Sequence, residues 1–345
     1  MQTVVIQKKK WAGLLLFLAA AAAGLFWAKW EPYYHKVLAV AESHTLGNPI
    51  LSALAAGSTP SWDMALGYAT SYFLAIWKAM LVAIVLASLM NVFIPKSWVE
   101  KIVGRQGYGA TVRGGLLGLP AMMCTCCAAP VVAGLRQKNS SVGAAVAFWF
   151  ANTALNPVVL VFMLFILGWK FTLLRLVCGV VLVFGVSYLA NRIAGSSPVD
   201  RSLLMDETDE GGDRPFQKWA KTFGKLVITI VPIHFVTVLL LGGLQAWLFP
   251  ASGMAGANSL WLIVTMAIVG TLFVIPTAAE VAIAAAMLSL GIGSGPVAAL
   301  VITLPVISIP AALMLRKVLP AKVMVFLSVS VVVLGVVAGV VASWF

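Results

Sequence analysis

Residues 66–94 form a run of 29 positions with one charged side chain, Lys78, and such a stretch has few ways to fold. A helix needs about 20 residues to cross a hydrocarbon core of about 30 Å, and only helices or closed barrels satisfy all backbone polar groups there. Barrel strands would show alternation over about ten residues; this run is continuously apolar, so it reads as a transmembrane helix. Comparable runs recur along the chain, which is 61% hydrophobic and 10% charged. A soluble surface cannot be assembled from that composition, and the expected class is an all-α integral membrane protein.

In chain order, Lys8, Lys9 and Lys10 precede an apolar run at 11–27. It lacks a polar cleavage region and ends on Trp27 and Trp30, as an interfacial belt would, so it reads as an uncleaved first helix. Residues 31–63 read as a loop with a short surface helix near 50–56. After the helix at 66–94, the segments 110–122 and 126–135 are too short to span and read as half-helices. Spans follow at 141–167, broken at Asn156-Pro157, and at 171–193. A linker at 194–218 holds Asp200, Asp206, Glu207, Asp209, Glu210 and Asp213. The second half reads as a long helix at 223–249, a loop at 250–259, half-helices at 260–275 and 278–290, a broken span at 297–315 and a last span at 323–345.

The two halves correspond without a gap at an offset of 153 positions: Asn156-Pro157 falls on Ile309-Pro310, Ala145 on Ala298, Leu135 on Leu288 and Cys127 on Glu280. Positive charge sets the direction of the half-helices. If the first pair turns back as a re-entrant hairpin, Arg136 and Lys138 return to the cytoplasmic side. On that path 18 of the 23 Lys and Arg lie inside, whereas Lys29, Lys36, Lys170 and Arg175 lie outside and Lys78 in the membrane. The expected fold has two inverted-topology repeats, each with three spans plus a re-entrant half-helix hairpin, preceded by one extra N-terminal helix. Its units are 1–63, repeat 1 at 64–193, a cytoplasmic linker at 194–218 and repeat 2 at 219–345. Seven spans put the N-terminus in the cytoplasm and the C-terminus outside, and inverted repeats with broken helices are a transporter architecture. The net charge of +12 sits at the ends of apolar runs, as topology signals do, which argues against nucleic acid as a partner.

Three of the four cysteines, Cys124, Cys126 and Cys127, occupy four positions at the first hairpin tip. They are too close together for ordinary bridges, and Cys178 stands alone in an apolar run, so thiols are the expected state. The second half-helix of the tip is expected to start near 126–128 with Pro130 in its first turn, where a missing N–H costs nothing. Its positive dipole end then favours thiolate, and three soft ligands suit a thiophilic solute better than a hard cation. The plainer reading is that small cysteines let helices pack closely. No histidine stands nearby to complete a tetrahedral zinc site, so no resident metal is expected, and no other cofactor is implied.

Glu280 is the one acidic residue inside an apolar repeat core, and an intramembrane carboxyl is by default a functional hypothesis. Its structural alternative is a capping box, Thr277-x-x-Glu280. Lys78 and His234, each mid-span, are candidates to pair with Glu280 or to carry protons. Asn152 and Asn156 share a helix face leading into the Pro157 break, where they can line a cavity or satisfy freed carbonyls.

These residues resemble the YraQ-type predicted permeases, a family that includes the organoarsenical efflux permease ArsP. There the first tip reads Cys-Ser-Cys-Gly with a following proline and a later Asn-Pro; here it is Cys124-Thr125-Cys126-Cys127, Pro130 and Asn156-Pro157. The family's acidic second tip and its Gly-Pro-x-x-Ser-x-Pro signature correspond to Glu280 and to Leu304-Pro305-Val306-Ile307-Ser308-Ile309-Pro310. Cys127 and Leu304 each replace a glycine, one adding a ligand and the other bearing on substrate size. The resemblance implies a bacterial inner-membrane permease for a small solute, with trivalent organoarsenicals as one substrate class, and brings Ser308 into the candidate site. No nucleotide-binding motif is present, so energy would come from a gradient or a separate subunit. The expected function is a secondary permease, not an enzyme, working on a small molecule amid membrane lipid, with self-association left open. Its rivals are a channel or permease for a small sulfur-containing anion and a membrane thiol oxidoreductase.

Overall fold

The computed structural model describes residues 2–47, 61–195, 215–249 and 258–345, and every described regular element is helical. The surface helix expected near 50–56, most of the charged linker and the loop at 250–257 lie outside the described residues.

The chain begins with α1 (Gln2–Leu25), a π-helical turn (Phe26–Trp30) and α2 (Glu31–Ser43), which run on without a break. Residues 31–43 are therefore helical, correcting the loop expected there. In the π turn the Glu31 N–H bonds to the Phe26 carbonyl, shifting the ladder by one residue. Pro32 follows at once, so its missing N–H falls where the register has already slipped. The buried positions Leu25, Lys29, Tyr33 and Val40 form one stripe at helical spacing, and it faces the rest of the molecule.

α3 (Trp62–Phe93), capped by the Ser61 hydroxyl accepting from the Met64 N–H, packs along α11 (Pro215–Leu248), the expected long helix extended eight residues at its start. Between them in sequence come α4 (Lys96–Val99), α5 (Tyr108–Gly118), α6 (Thr125–Gln137), α7 (Val142–Ala154), α8 (Pro157–Ile166), α9 (Trp169–Val180) and α10 (Ser187–Ala194). After α11 come α12 (Leu260–Leu272), α13 (Ala279–Ser289), α14 (Ser294–Thr303), α15 (Ile309–Leu315) and α16 (Ala321–Ala342).

Among the described residues six helical stretches are long and apolar enough to cross a membrane: Gly13–Ser43, Trp62–Phe93, Val142–Ile166, Trp169–Ala194, Phe216–Leu248 and Ala321–Ala342. The protein is a multi-pass membrane protein. The expected broken span at 297–315 is divided into α14 and α15 by irregular backbone at 304–308, where Pro305 withholds its N–H, and is not among these six stretches.

Two features of the packing position the site. Helix α5 lies against α7 through Gly114 and Gly118, spaced as in Gly-x-x-x-Gly. A Cβ on Gly118 would stand 2.5 Å from the Phe148 carbonyl oxygen, so only glycine permits this approach. The halves also exchange contacts, with α6 packed on α15 and α13 on α8. Each short helix after a turn thus rests on the helix that follows the proline break of the other half.

Candidate functional site

The turn before α6 starts with Met122 in the left-handed region (φ 49°) and Cys124 as N-cap. Because α6 begins at Thr125, Pro130 lies inside the helix, not in the first turn as its spacing had suggested. It deprives the Cys126 carbonyl of its intrahelical partner. The tip is held by the Met123 N–H donating to Asn152 Oδ1 (3.3 Å), Trp149 Nε1 donating to the Thr125 carbonyl (3.0 Å), and the Thr125 hydroxyl donating across the halves to the Pro305 carbonyl (2.6 Å). On this first turn the Cys124 Sγ lies 3.2 Å from Cys126 Sγ and 2.7 Å from Cys127 Sγ. All three sulfur atoms fall within 4.8 Å of one another, and all three residues are buried free thiols. Cys124 and Cys127 also stand at Cys-x-x-Cys spacing. The set offers three soft ligands at a positive helix end, a donor array for a three-coordinate thiophilic centre. Cys178 lies apart in a separate small apolar cluster with Ile302 and Ala338.

Two further elements complete the surroundings, one reaching the thiols and the other the second tip. From α3, Tyr72 Oη lies 3.0 Å from Cys126 Sγ and 3.3 Å from His234 Nε2 of α11, with the phenol and imidazole rings stacked. From the N-terminal helix, Lys29 donates to Tyr33 Oη (3.2 Å) and to Thr277 Oγ1 (3.1 Å) at the second tip. The neighbouring Trp30 Nε1 donates to the Pro120 carbonyl at 2.8 Å. The N-terminal helix therefore joins both tips. Lys29 is buried, whereas the charge pattern implies a surface position at the end of the first helix.

Glu280 sits in the first turn of α13, and its Oε1 accepts from Arg175 of α9 at 2.9 Å, both side chains 2% exposed. Arg175, expected outside, is buried and also donates to the carbonyls of Thr153 (2.9 Å) and Ala154 (3.2 Å), next to the break between α7 and α8. The capping box does not form. Ala278, in the left-handed region, is the N-cap, the Thr277 hydroxyl serves Lys29, and the Glu280 carboxylate serves Arg175.

The remaining candidates divide. Asn152 is engaged at both ends of its amide, accepting from Met123 and donating to the Phe148 carbonyl, so it holds the tip in place. Asn156 caps α8 through Val158 and Val159 and keeps a buried Nδ2 without a protein partner. Ser308 Oγ, His234 Nδ1 and Glu280 Oε2 are likewise buried and have no hydrogen-bond partner among the described residues. Lys78 does not join them or pair with Glu280: it is half-buried, 5.1 Å from the Trp27 ring and 5.8 Å from that of Trp77. Sequence reasoning missed Lys29, Tyr72, Arg175 and Thr277. The signal for Arg175 was available, since it interrupts an apolar run six residues into α9.

Residues 61–344 match a family model described as ArsP_1, predicted permease. The chain is 42% identical to "UPF0718 protein YraQ" of Escherichia coli (strain K12) over 336 residues, covering 97% of this chain and 96% of that protein. It is 24% identical to "UPF0718 protein MJ0584" of Methanocaldococcus jannaschii, covering 78% of this chain and 92% of that protein. No solved structure matches the chain.

Proposed function

The chain belongs to the family of predicted permeases whose model it matches, and from that premise we propose that it is a secondary permease for a small thiophilic solute. A trivalent organoarsenical is the substrate class we take as the first test. Cys124, Cys126 and Cys127 act as soft ligands and Glu280 as charge or proton partner. The observation that carries the reading is the convergence of three buried sulfur atoms at one helix N-terminus, with Tyr72 of the first half on Cys126 and His234 of the second half behind it. A thiol triad that only eased packing would not need Tyr72 turned towards it with His234 behind. Arg175 holds one oxygen of Glu280, and the second oxygen has a free lone pair that can take a proton.

The architecture we propose has two inverted repeats, 64–193 and 219–345, with the turns at 119–124 and 273–278 as re-entrant tips and the linker at 194–218 cytoplasmic. The offset of 153 positions, the reciprocal packing of α6 on α15 and α13 on α8, and the clustering of Lys and Arg support it. The same charge pattern supports the inner membrane, an N-terminus inside and a C-terminus outside.

The test is uptake and binding of phenylarsine oxide by the full chain in proteoliposomes, beside a variant with all three cysteines replaced by Ser. Saturable binding lost in the variant is expected; equal binding in both would sink the proposal. Lys29 favours a second reading, a permease for a small soft anion, because among the described residues it has no carboxylate partner and a buried cation calls for a counter-charge. Flux of such an anion that survives loss of the cysteines but not of Lys29 would establish that version. The thiol-oxidoreductase alternative rests on the Cys124-x-x-Cys127 spacing, and finding no redox-dependent disulfide by mass spectrometry would dismiss it.

A further inference from the structure

Ligation of a thiophilic centre by thiols has a consequence that the three sulfur atoms cannot meet alone. Each S–H must lose its proton in a site where Cys124, Cys126 and Cys127 are all 4% exposed or less, with little water to receive it. One continuous route leaves the cluster: Cys126 Sγ to Tyr72 Oη at 3.0 Å, then Tyr72 Oη to His234 Nε2 at 3.3 Å. Tyr72 is fully buried and His234 is 1% exposed.

We propose that Tyr72 and His234 are the proton acceptors for Cys126, a relay that ionises this thiol as the substrate arrives. The proposal rests on the thiophilic-permease reading. For phenylarsine oxide in its hydrated form, the Cys126 S–H bond breaks and its electron pair forms a sulfur–arsenic bond, displacing hydroxide. The proton passes to Tyr72 Oη while Tyr72 passes its own to His234 Nε2. His234 then returns a proton through Tyr72 Oη to the displaced hydroxide, which leaves as water. One As–O bond and one S–H bond are exchanged for one As–S bond and one O–H bond, and arsenic stays trivalent throughout.

The surroundings of His234 suit a relay that holds the proton only briefly. Tyr72 and Phe73 of α3 pack on the ring, and Phe235 adjoins it on its own helix. Helix α15, also packed on α11, contributes no titratable residue, and the thiols of α6 lie beyond Tyr72. Among the described residues the buried Nδ1 atom has no hydrogen-bond partner and no carboxylate holds the imidazole in its charged form. A structural role alone, in which Tyr72 and His234 satisfy each other in the core, needs no contact with Cys126.

The experiment measures the rate of phenylarsine oxide association with the full chain in detergent from pH 6 to 9, read as free thiols remaining after quenching and denaturation. Tyr72→Phe and His234→Gln, which keep the ring and the amide-like acceptor respectively, are compared with the parent. Both variants should slow association at neutral pH by about 10²-fold, the scale of general base assistance, with unchanged final stoichiometry. The deficit should shrink as pH rises, because higher pH favours the thiolate without help from the relay. Unchanged rates, or slowing of equal size at every pH, would overturn the relay while leaving the permease reading intact. A parent that binds no more phenylarsine oxide than its triple Ser variant would overturn the permease reading and the relay together.

Discussion

Replacing Glu280 by Ala tests whether the pair with Arg175 is an integrated element of the core. The guanidinium would keep its donations to Thr153 and Ala154 at 2.9 and 3.2 Å but lose its counter-charge while 2% exposed. Breaking a buried pair from one side costs about 3–5 kcal/mol. At about 2 °C per kcal/mol for a chain of this size, thermal unfolding in detergent should fall by about 6–10 °C. Glu280→Gln keeps an oxygen 2.9 Å from the guanidinium and forfeits only the charge, so about 1.5–3 kcal/mol is expected. Arg175→Met strands the carboxylate and leaves two carbonyls beside the Pro157 break without a donor, and should be at least as damaging as Glu280→Ala. The decisive variant is Arg175→Met with Glu280→Met. Removing both charges together spares the stranded ion, so the double variant should lose at least about 2 kcal/mol less than the sum of the singles. Additivity within about 0.5 kcal/mol would refute the inference that these charges stabilise each other across the halves.

Other variants test separate links. Gly118→Leu drives a side chain into the Phe148 carbonyl across the α5–α7 contact and should cost more than about 3 kcal/mol, visible as loss of monodisperse protein on size exclusion. Lys78→Leu removes a cation that lies over the Trp27 and Trp77 rings and, among the described residues, makes no ion pair, so stability should stay within about 1 kcal/mol and transport should not change. Trp30→Phe deletes the donor to Pro120 and should cost about 1 kcal/mol in thermal unfolding. Lys29→Met should leave binding of neutral phenylarsine oxide in place under the thiophilic reading and abolish flux of soft anions under the alternative one.

Much of the helix pattern was legible because apolar runs and prolines act locally. The short segments around Met122 and Ala278, the break at Asn156-Pro157 and the break ending at Pro310 all correspond to positions where length or a missing N–H dictates an interruption. The helicity of residues 31–43 was less legible, since Pro32 and the mixed composition around it read as a stop. A one-residue slip of the hydrogen-bond ladder absorbed that signal. The cysteine cluster could be found because its three members are adjacent in sequence. Its neighbourhood could not, because Lys29 and Tyr72 come from two other helices, and His234 and Thr277, though visible as intramembrane polar residues, carry no sequence sign of which partners they meet.

The errors with Lys29 and Arg175 share a cause. Each lies near the end of an apolar run, where a basic residue ordinarily marks the membrane surface, so an argument from charge distribution assigns both to the outside. A basic residue can instead turn inward where carbonyls or hydroxyls have been left without partners, and helix breaks and tip turns supply such groups. Arg175 takes the Thr153 and Ala154 carbonyls at the first break; Lys29 takes the Thr277 hydroxyl at the second tip. Irregular backbone at membrane depth therefore creates the very partners that draw charge into the core. It follows that the N-terminal helix, which the repeat pattern leaves as an accessory, carries part of the site. Lys29 and Trp30 stand on consecutive positions, so a rotation of that helix would release Thr277 at one tip and Pro120 at the other in a single movement.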